Sequence, residues 1–135
     1  MIGTYVVDFY CHQAKLVVEI DGSQHYEEAG QNKKFREKYD FSTARAVTNL
    51  RDLAEYCLPF VKVGGSFIPM KSAKAQEEIA EGKKAIHVLG GQIISQESFE
   101  LLDCGERTII NVKKISPTPA KYPRPSAKIA KNPIK

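Results

Sequence analysis

The sequence predicts an α/β fold, a sheet whose strands alternate with helices. Three observations carry that prediction. Short runs rich in β-branched and aromatic residues recur along the chain, and two stretches between them repeat apolar residues at helical spacing. Glycine pairs and polar turns punctuate the boundaries. At 135 residues, 42% of them hydrophobic, the chain can bury one ordinary core.

In chain order, "GTYVVDFYC" and "AKLVVEIDG" read as a β-hairpin turning around His12 and Gln13. "SQHYEEAGQNKKFREKYD" is charged and loosely helical, with Gly30 a candidate break, and "FSTARAV" is a short strand. Leu50, Leu53, Ala54, Cys57 and Leu58 then form one face of an amphipathic helix. Asn49 suits its N-cap, Asp52 its first turn, and Pro59 stands near its end. In "VKVGGSFIPMK" the pair Gly64-Gly65 predicts a turn, followed by a strand from Ser66 to Met70. Ser72 is a candidate cap for the helix in "AKAQEEIAEGKKAIHVLG", and Gly90-Gly91 is its stop signal. "QIISQESFEL" and "RTIINVKKI" are strands flanking the turn "DCGE". Beyond Ser116, prolines 117, 119, 123 and 125 argue against any regular element.

From residue 41 the order is thus strand, helix, strand, helix, strand, strand, tail. That order implies a mostly parallel sheet with an antiparallel carboxyl-terminal pair, the second half of a Rossmann-type sheet. The first half of such a sheet normally holds a cofactor at a glycine-rich strand-to-helix turn. No such turn occurs here, because Gly64-Gly65 precedes a strand.

Charge is unevenly distributed. The formal net charge is +4, yet residues 107–135 contain eight Lys or Arg and no acid. The first 106 residues carry 12 basic and 16 acidic side chains. A tail this positive attracts polyanions by counterion release, or is simply a solvated basic segment. Cys11, Cys57 and Cys104 are odd in number and widely spaced, as structural thiols are. Met1 leads directly into "IGTYVVDFY" without a basic leader, and no apolar run is long enough to span a bilayer. The expected location is the cytoplasm.

Two resemblances are carried by these residues. "YDFSTARAVTNLRDLAEYCLPFVKVGGSFIPMKS", "EEIAEGKKAIHVLGGQI", "ERTIINVKKISPTPAKYPR" and "KNPI" resemble the carboxyl half of the small-subunit (16S) rRNA guanine methyltransferase family, also called the glucose-inhibited division protein B family. That likeness covers about residues 27–135. Residues 3 to about 30, "GTYVVDFYCHQAKLVVEIDGSQHY", resemble the very-short-patch-repair-like endonucleases, whose D…E-x-D-G…H pattern falls on Asp8, Glu19, Asp21 and His25. The two likenesses meet near Tyr26. The implied organisation is an endonuclease-like hairpin over 1–26, a partial methyltransferase α/β domain over 27–115, and a basic Pro/Lys-rich tail over 116–135.

The endonuclease likeness implies a divalent cation, magnesium, on Asp8 and Glu19, with Asp21 on the face of Glu19 and His25 as general acid or base. The alternative is a solvated strand end with ordinary turn residues. Family members place a helix before the first strand and further strands after the histidine. Metal ligands need such support, so activity is not expected from this fragment.

The methyltransferase likeness implies S-adenosylmethionine as cofactor and small-subunit rRNA as partner. Methyl transfer to a guanine ring nitrogen depends on alignment more than on a general base. Tyr26 and Glu27 fall where the family has an alanine-glutamate pair at the cofactor, and the Tyr26 phenol would crowd an adenine pocket. Arg45 matches a cofactor-side arginine, or is a strand-end cation paired to an acid. Lys71, Arg107, Lys113 and Lys114 match basic positions facing RNA, and Lys121, Tyr122 and Arg124 reproduce a "KYPR" element combining charge with a stacking ring. Pro125, Ala127 and Ile129 depart from the usual lysine, glycine and proline. The expected outcome is a truncated or rearranged methyltransferase that is inert alone, with a non-catalytic RNA-binding module as the alternative. The hairpin is expected to dock beside "FSTARAV"; otherwise that exposed edge would pair two copies of the chain.

Overall fold

The computed structural model describes residues 9–11, 16–18, 33–45, 48–102 and 105–135. Among the described residues six strands form one sheet: β1 (Phe9–Cys11), β2 (Leu16–Val18), β3 (Tyr39–Arg45), β4 (Val61–Lys71), β5 (Gly91–Leu101) and β6 (Gly105–Lys114). Helix α1 (Leu50–Cys57) connects β3 to β4 through a 3-10 turn over Leu58–Phe60. Helix α2 (Ala75–Val88) connects β4 to β5, and α3 (Ser126–Lys131) lies near the carboxyl end.

The spatial order is β1-β2-β3-β4-β6-β5. The hairpin does dock where expected, with β2 parallel to β3 through Leu16–Phe41 and Val17–Ser42, and β1 antiparallel outside it. The β3 edge is therefore occupied within one chain. Strands β3 and β4 are parallel, whereas β6 inserts antiparallel between β4 and β5. This corrects the expected mostly parallel sheet to a mixed one. Strands β2 to β5 share one direction, but most neighbouring pairs are antiparallel because β1 and β6 run against them.

Helix α1 begins as its sequence dictates: the Asn49 side chain accepts the Asp52 amide at 3.0 Å and satisfies an otherwise orphaned donor. Its face of Leu50, Leu53, Ala54 and Cys57 enters the core with Leu58, Val61, Phe67, Ile86, Leu89, Ile110 and Val112. Phe67 and Val112 are register partners and both are fully buried. Alternation along the strands then turns Ile68, Met70, Ile109 and Asn111 to the opposite face.

Three local expectations are corrected. Gly64-Gly65 makes no turn between elements; β4 continues through it as a bulge, and two steps along β3 answer five along β4 between Tyr39–Val61 and Phe41–Ser66. Gly64 supplies the positive φ of 89° that the bulge needs, and the Lys62–Asp40 ion pair lies beside it. Ser72 does not cap α2: the N-cap is Lys74, without a side-chain hydrogen bond, and the Ser72 carbonyl accepts the Ala75 amide in the turn before it. The tail also contains a regular element. No proline lies inside Ser126–Lys131, and Pro125 at the N-cap leaves the first turn free to form α3. Gly90 ends α2 with φ 87°, as its sequence implies.

Candidate nucleic-acid interface

The basic tail is fastened to the domain by groups from three directions. Thr118 donates its hydroxyl to the Leu89 carbonyl at 2.6 Å and its amide to Glu37 at 2.9 Å. Arg36 reaches the carbonyls of Thr118, Pro119 and Tyr122. From α1, Glu55 receives the Arg124 guanidinium at 2.6 and 2.8 Å and the Arg124 amide at 2.9 Å. Two parallel N–H donors on one carboxylate form the strongest geometry available to this pair. Glu55 holds the Arg124 guanidinium protonated even more firmly than usual. Tyr122 and Ile129 bury their side chains beneath this strap.

That fastening uses several cations expected to face RNA. Lys114 is 1% exposed; its ammonium donates to the carbonyls of Leu58 at 2.7 Å and Val61 at 3.0 Å and lies 3.4 Å from Glu37. Burial lowers its pKa, with the Glu37 carboxylate opposing that shift and Arg36 adding to it. Lys71 is buried too, bonded to the Thr48 carbonyl and paired with Glu78 at 2.8 Å. Glu78 also accepts the Leu50 amide at 2.7 Å, so one carboxylate joins the end of β4 to the start of α1. The Tyr122 ring is buried, with Lys121 and Arg124 at 5.2 and 5.5 Å from its centroid. Lys71, Lys114, Tyr122 and Arg124 are thus engaged internally. They are placed to hold the fold, and none offers an open charge or ring face to a base.

Arg107, Lys113 and Lys121 keep access to solvent. Arg107 and Lys113 project from the sheet face opposite the helices, because their neighbours Thr108 and Val112 point into the core. Exposed Lys128 and Lys131 on α3 extend the set; sequence reading missed them as a pair because the helix itself was not expected. Their three-residue spacing is the signal that could have found them.

Arg45 is exposed at the end of β3, opposite Met70 in register. Tyr26 and Glu27 lie outside the described residues, as do Asp8, Glu19, Asp21 and His25. Among the described residues no group of three or more His, Cys, Asp or Glu side chains could hold a metal ion, and no helix is long and apolar enough to cross a membrane. The junctions β3-to-α1 and β4-to-α2 contain no glycine. A cradle for S-adenosylmethionine needs close backbone approach at such a turn. Neither of these two described junctions supplies such a turn.

Comparison with known proteins supplies the lineage. The family model for rRNA small subunit methyltransferase G matches residues 11–109. The chain is 54% identical over 106 residues to ribosomal RNA small subunit methyltransferase G of Geobacillus sp. (strain WCH70), covering 78% of this chain and 44% of that protein. It is 50% identical over 109 residues to the Lactobacillus acidophilus protein of the same name, covering 80% and 45%. The Exiguobacterium sp. protein is likewise 50% identical over 109 residues, at 80% and 46%. The chain spans a little under half the length of these relatives. The matched segment runs through Glu19, Asp21 and His25, so a boundary at Tyr26 does not delimit it, and the endonuclease resemblance finds no support. With the strand and helix order already in place, the assignment follows: this chain belongs to the rRNA small subunit methyltransferase G family.

Proposed function

We propose that this chain is a truncated or rearranged S-adenosylmethionine-dependent rRNA methyltransferase, of the lineage that modifies a guanine ring nitrogen in the small ribosomal subunit, and that these 135 residues do not transfer a methyl group by themselves. The observation that supports inertness is the absence of glycine from both described strand-to-helix junctions. Without close backbone approach, the donor has no fixed position from which its methyl could meet an in-plane lone pair. Calorimetric titration with S-adenosylmethionine tests this. No heat of binding is expected, and micromolar affinity would reject the proposal.

A second reading, favoured by the half-buried cations Arg107 and Lys113 and the exposed Lys121, Lys128 and Lys131, is that the chain retains rRNA binding without catalysis. Its binding would then weaken steeply with salt. Each phosphate-contacting lysine changed to alanine should flatten the log–log slope by roughly 0.7 on single-stranded RNA. A slope unmoved by these substitutions would reject it.

A further inference from the structure

Strand β5 closes one side of the sheet. Strand β6 pairs along one of its edges, and among the described residues no strand lies on the other. Every residue over 94–101 is exposed, on both faces of the strand. Strand β4 ends at Lys71, in register with Thr108, so residues 99–101 and 105–107 run on beyond it as a two-stranded ribbon. Phe99, Leu101 and Leu102 are exposed there. A ribbon of this kind is marginal by itself. It is also frustrated. Glu100 and Glu106 are direct register partners, like charges on one face. Neither they nor Glu97 form an ion pair among the described residues. Residues 88–106 hold four acids and no Lys, Arg or His, while the remainder of the chain has 20 basic and 12 acidic residues.

We propose that the open edge of β5 over residues 95–101 takes up an extended protein segment as a further strand, and that this segment is basic. Charge decides between the occupants. Glu97, Glu100 and Glu106 repel phosphate, so a nucleic acid is turned toward the cationic remainder of the chain. Joining the β5 edges of two copies would line four carboxylates along one seam. A segment with its own cations meets neither obstacle. It completes the unpaired backbone edge and gives the Glu100–Glu106 pair the counter-charge it lacks. Period-two alternation fixes the pattern required. Glu97, Phe99 and Leu101 share one face, with Ile109, Arg107 and Gly105 as register partners, whereas Ser98 and Glu100 lie on the other. The fitting strand therefore sets a lysine or arginine opposite Glu97 and another, three residues on, opposite Glu100. Apolar side chains stand opposite Phe99 and Leu101.

The test uses the full 135-residue chain and a labelled peptide reading lysine, threonine, valine, lysine, valine, threonine, lysine, which presents that pattern in either direction. A control peptide has the same side chains but is N-methylated at both valines and the central lysine, which removes edge donors and leaves the charge. In fluorescence anisotropy the unmethylated peptide should bind at least about tenfold tighter than the control. The double variant Glu97→Lys, Glu100→Lys should lose about tenfold in affinity while its melting temperature stays within a few degrees. Amide exchange should slow across residues 95–101 and nowhere in the tail. Alanine at Lys121, Lys128 and Lys131, which would weaken RNA binding under the second reading above, should leave peptide affinity unchanged. Equal binding of the control overturns the inference by reducing it to charge attraction. No binding, or affinity indifferent to the charge reversal, overturns it too. Self-association through β5, or RNA that protects these same amides, overturns it equally.

Discussion

Glu55 is 1% exposed in the middle of α1, and its carboxylate is closed by Arg124, 69 residues further along the chain, at 2.6 and 2.8 Å. A buried anion with one charged partner is the arrangement in which removing the partner does most damage, because the charge left behind has no water. Arg124→Ala should therefore destabilise the fold by about 3 kcal/mol in urea unfolding. Arg124→Lys should recover only part of this, since an ammonium cannot reproduce the two-donor fork. Loss of less than about 1 kcal/mol in Arg124→Ala would mean the pair is solvated like a surface bridge.

Lys114 makes stability depend on alkaline pH. Burial holds its folded pKa below the ordinary 10.5, with Glu37 opposing and Arg36 adding to the effect. Between that lowered value and the unfolded one, the unfolded chain binds more protons, so stability rises with pH across the window and is level on either side. The rise is about 1.4 kcal/mol for each pH unit the window spans. Tyr56 works in the other direction, because burial, Asp52 and Glu55 raise its pKa and cost stability above pH 10. Comparison with Lys114→Met isolates the lysine: the parent should gain on the variant as pH climbs toward 10.5. Parallel profiles would show that Lys114 titrates as it does in the unfolded chain.

Two glycines with nearly equal φ should respond differently to alanine. Gly90 has φ 87° and a Cβ there would sit 2.1 Å from the Ser116 carbonyl oxygen. Gly64 has φ 89° with nothing within 4 Å. Gly64→Ala should cost only the left-handed backbone term, about 1 kcal/mol. Gly90→Ala should cost that plus a displaced strap, at least about 3 kcal/mol together. Equal losses in chemical denaturation would show that the strap moves aside freely.

Deleting residues 116–135 should unfold the domain or lower its melting temperature sharply, because Thr118, Tyr122, Arg124 and Ile129 are built into it. Loss of RNA binding on such a deletion would therefore say little about the tail as a ligand. Alanine at Lys121, Lys128 and Lys131 should leave the melting temperature within a few degrees. A deletion variant as stable as the parent would show the strap to be dispensable.

Much of this fold was legible in the chain. The α1 face and its Asn49 cap are set by neighbours three and four residues apart, and the β5–β6 hairpin by a short polar turn. The misread features depend on distant partners. Gly64-Gly65 looks like a turn by itself, and only the parallel alignment with β3 makes it a bulge. Lys71 is bonded to the Thr48 carbonyl, 23 residues before it, and Lys114 lies against Glu37, 77 residues before it. One signal for Lys114 was present: it continues the inward series Thr108, Ile110, Val112, so the strand period places it inside despite its charge. Prolines obscured α3, although none falls within it.

The insertion of β6 between β4 and β5 has a consequence for biosynthesis. The central strand of the carboxyl-terminal half leaves the ribosome after both of its neighbours, so β4 and β5 emerge separated by an empty place. Ile110 and Val112 can close the interior only after residue 114 is free, and such distant pairings slow collapse to the native state. Nascent chains stalled before residue 105 should remain protease-sensitive throughout, and protection should arrive in a single step once that strand and its strap are released.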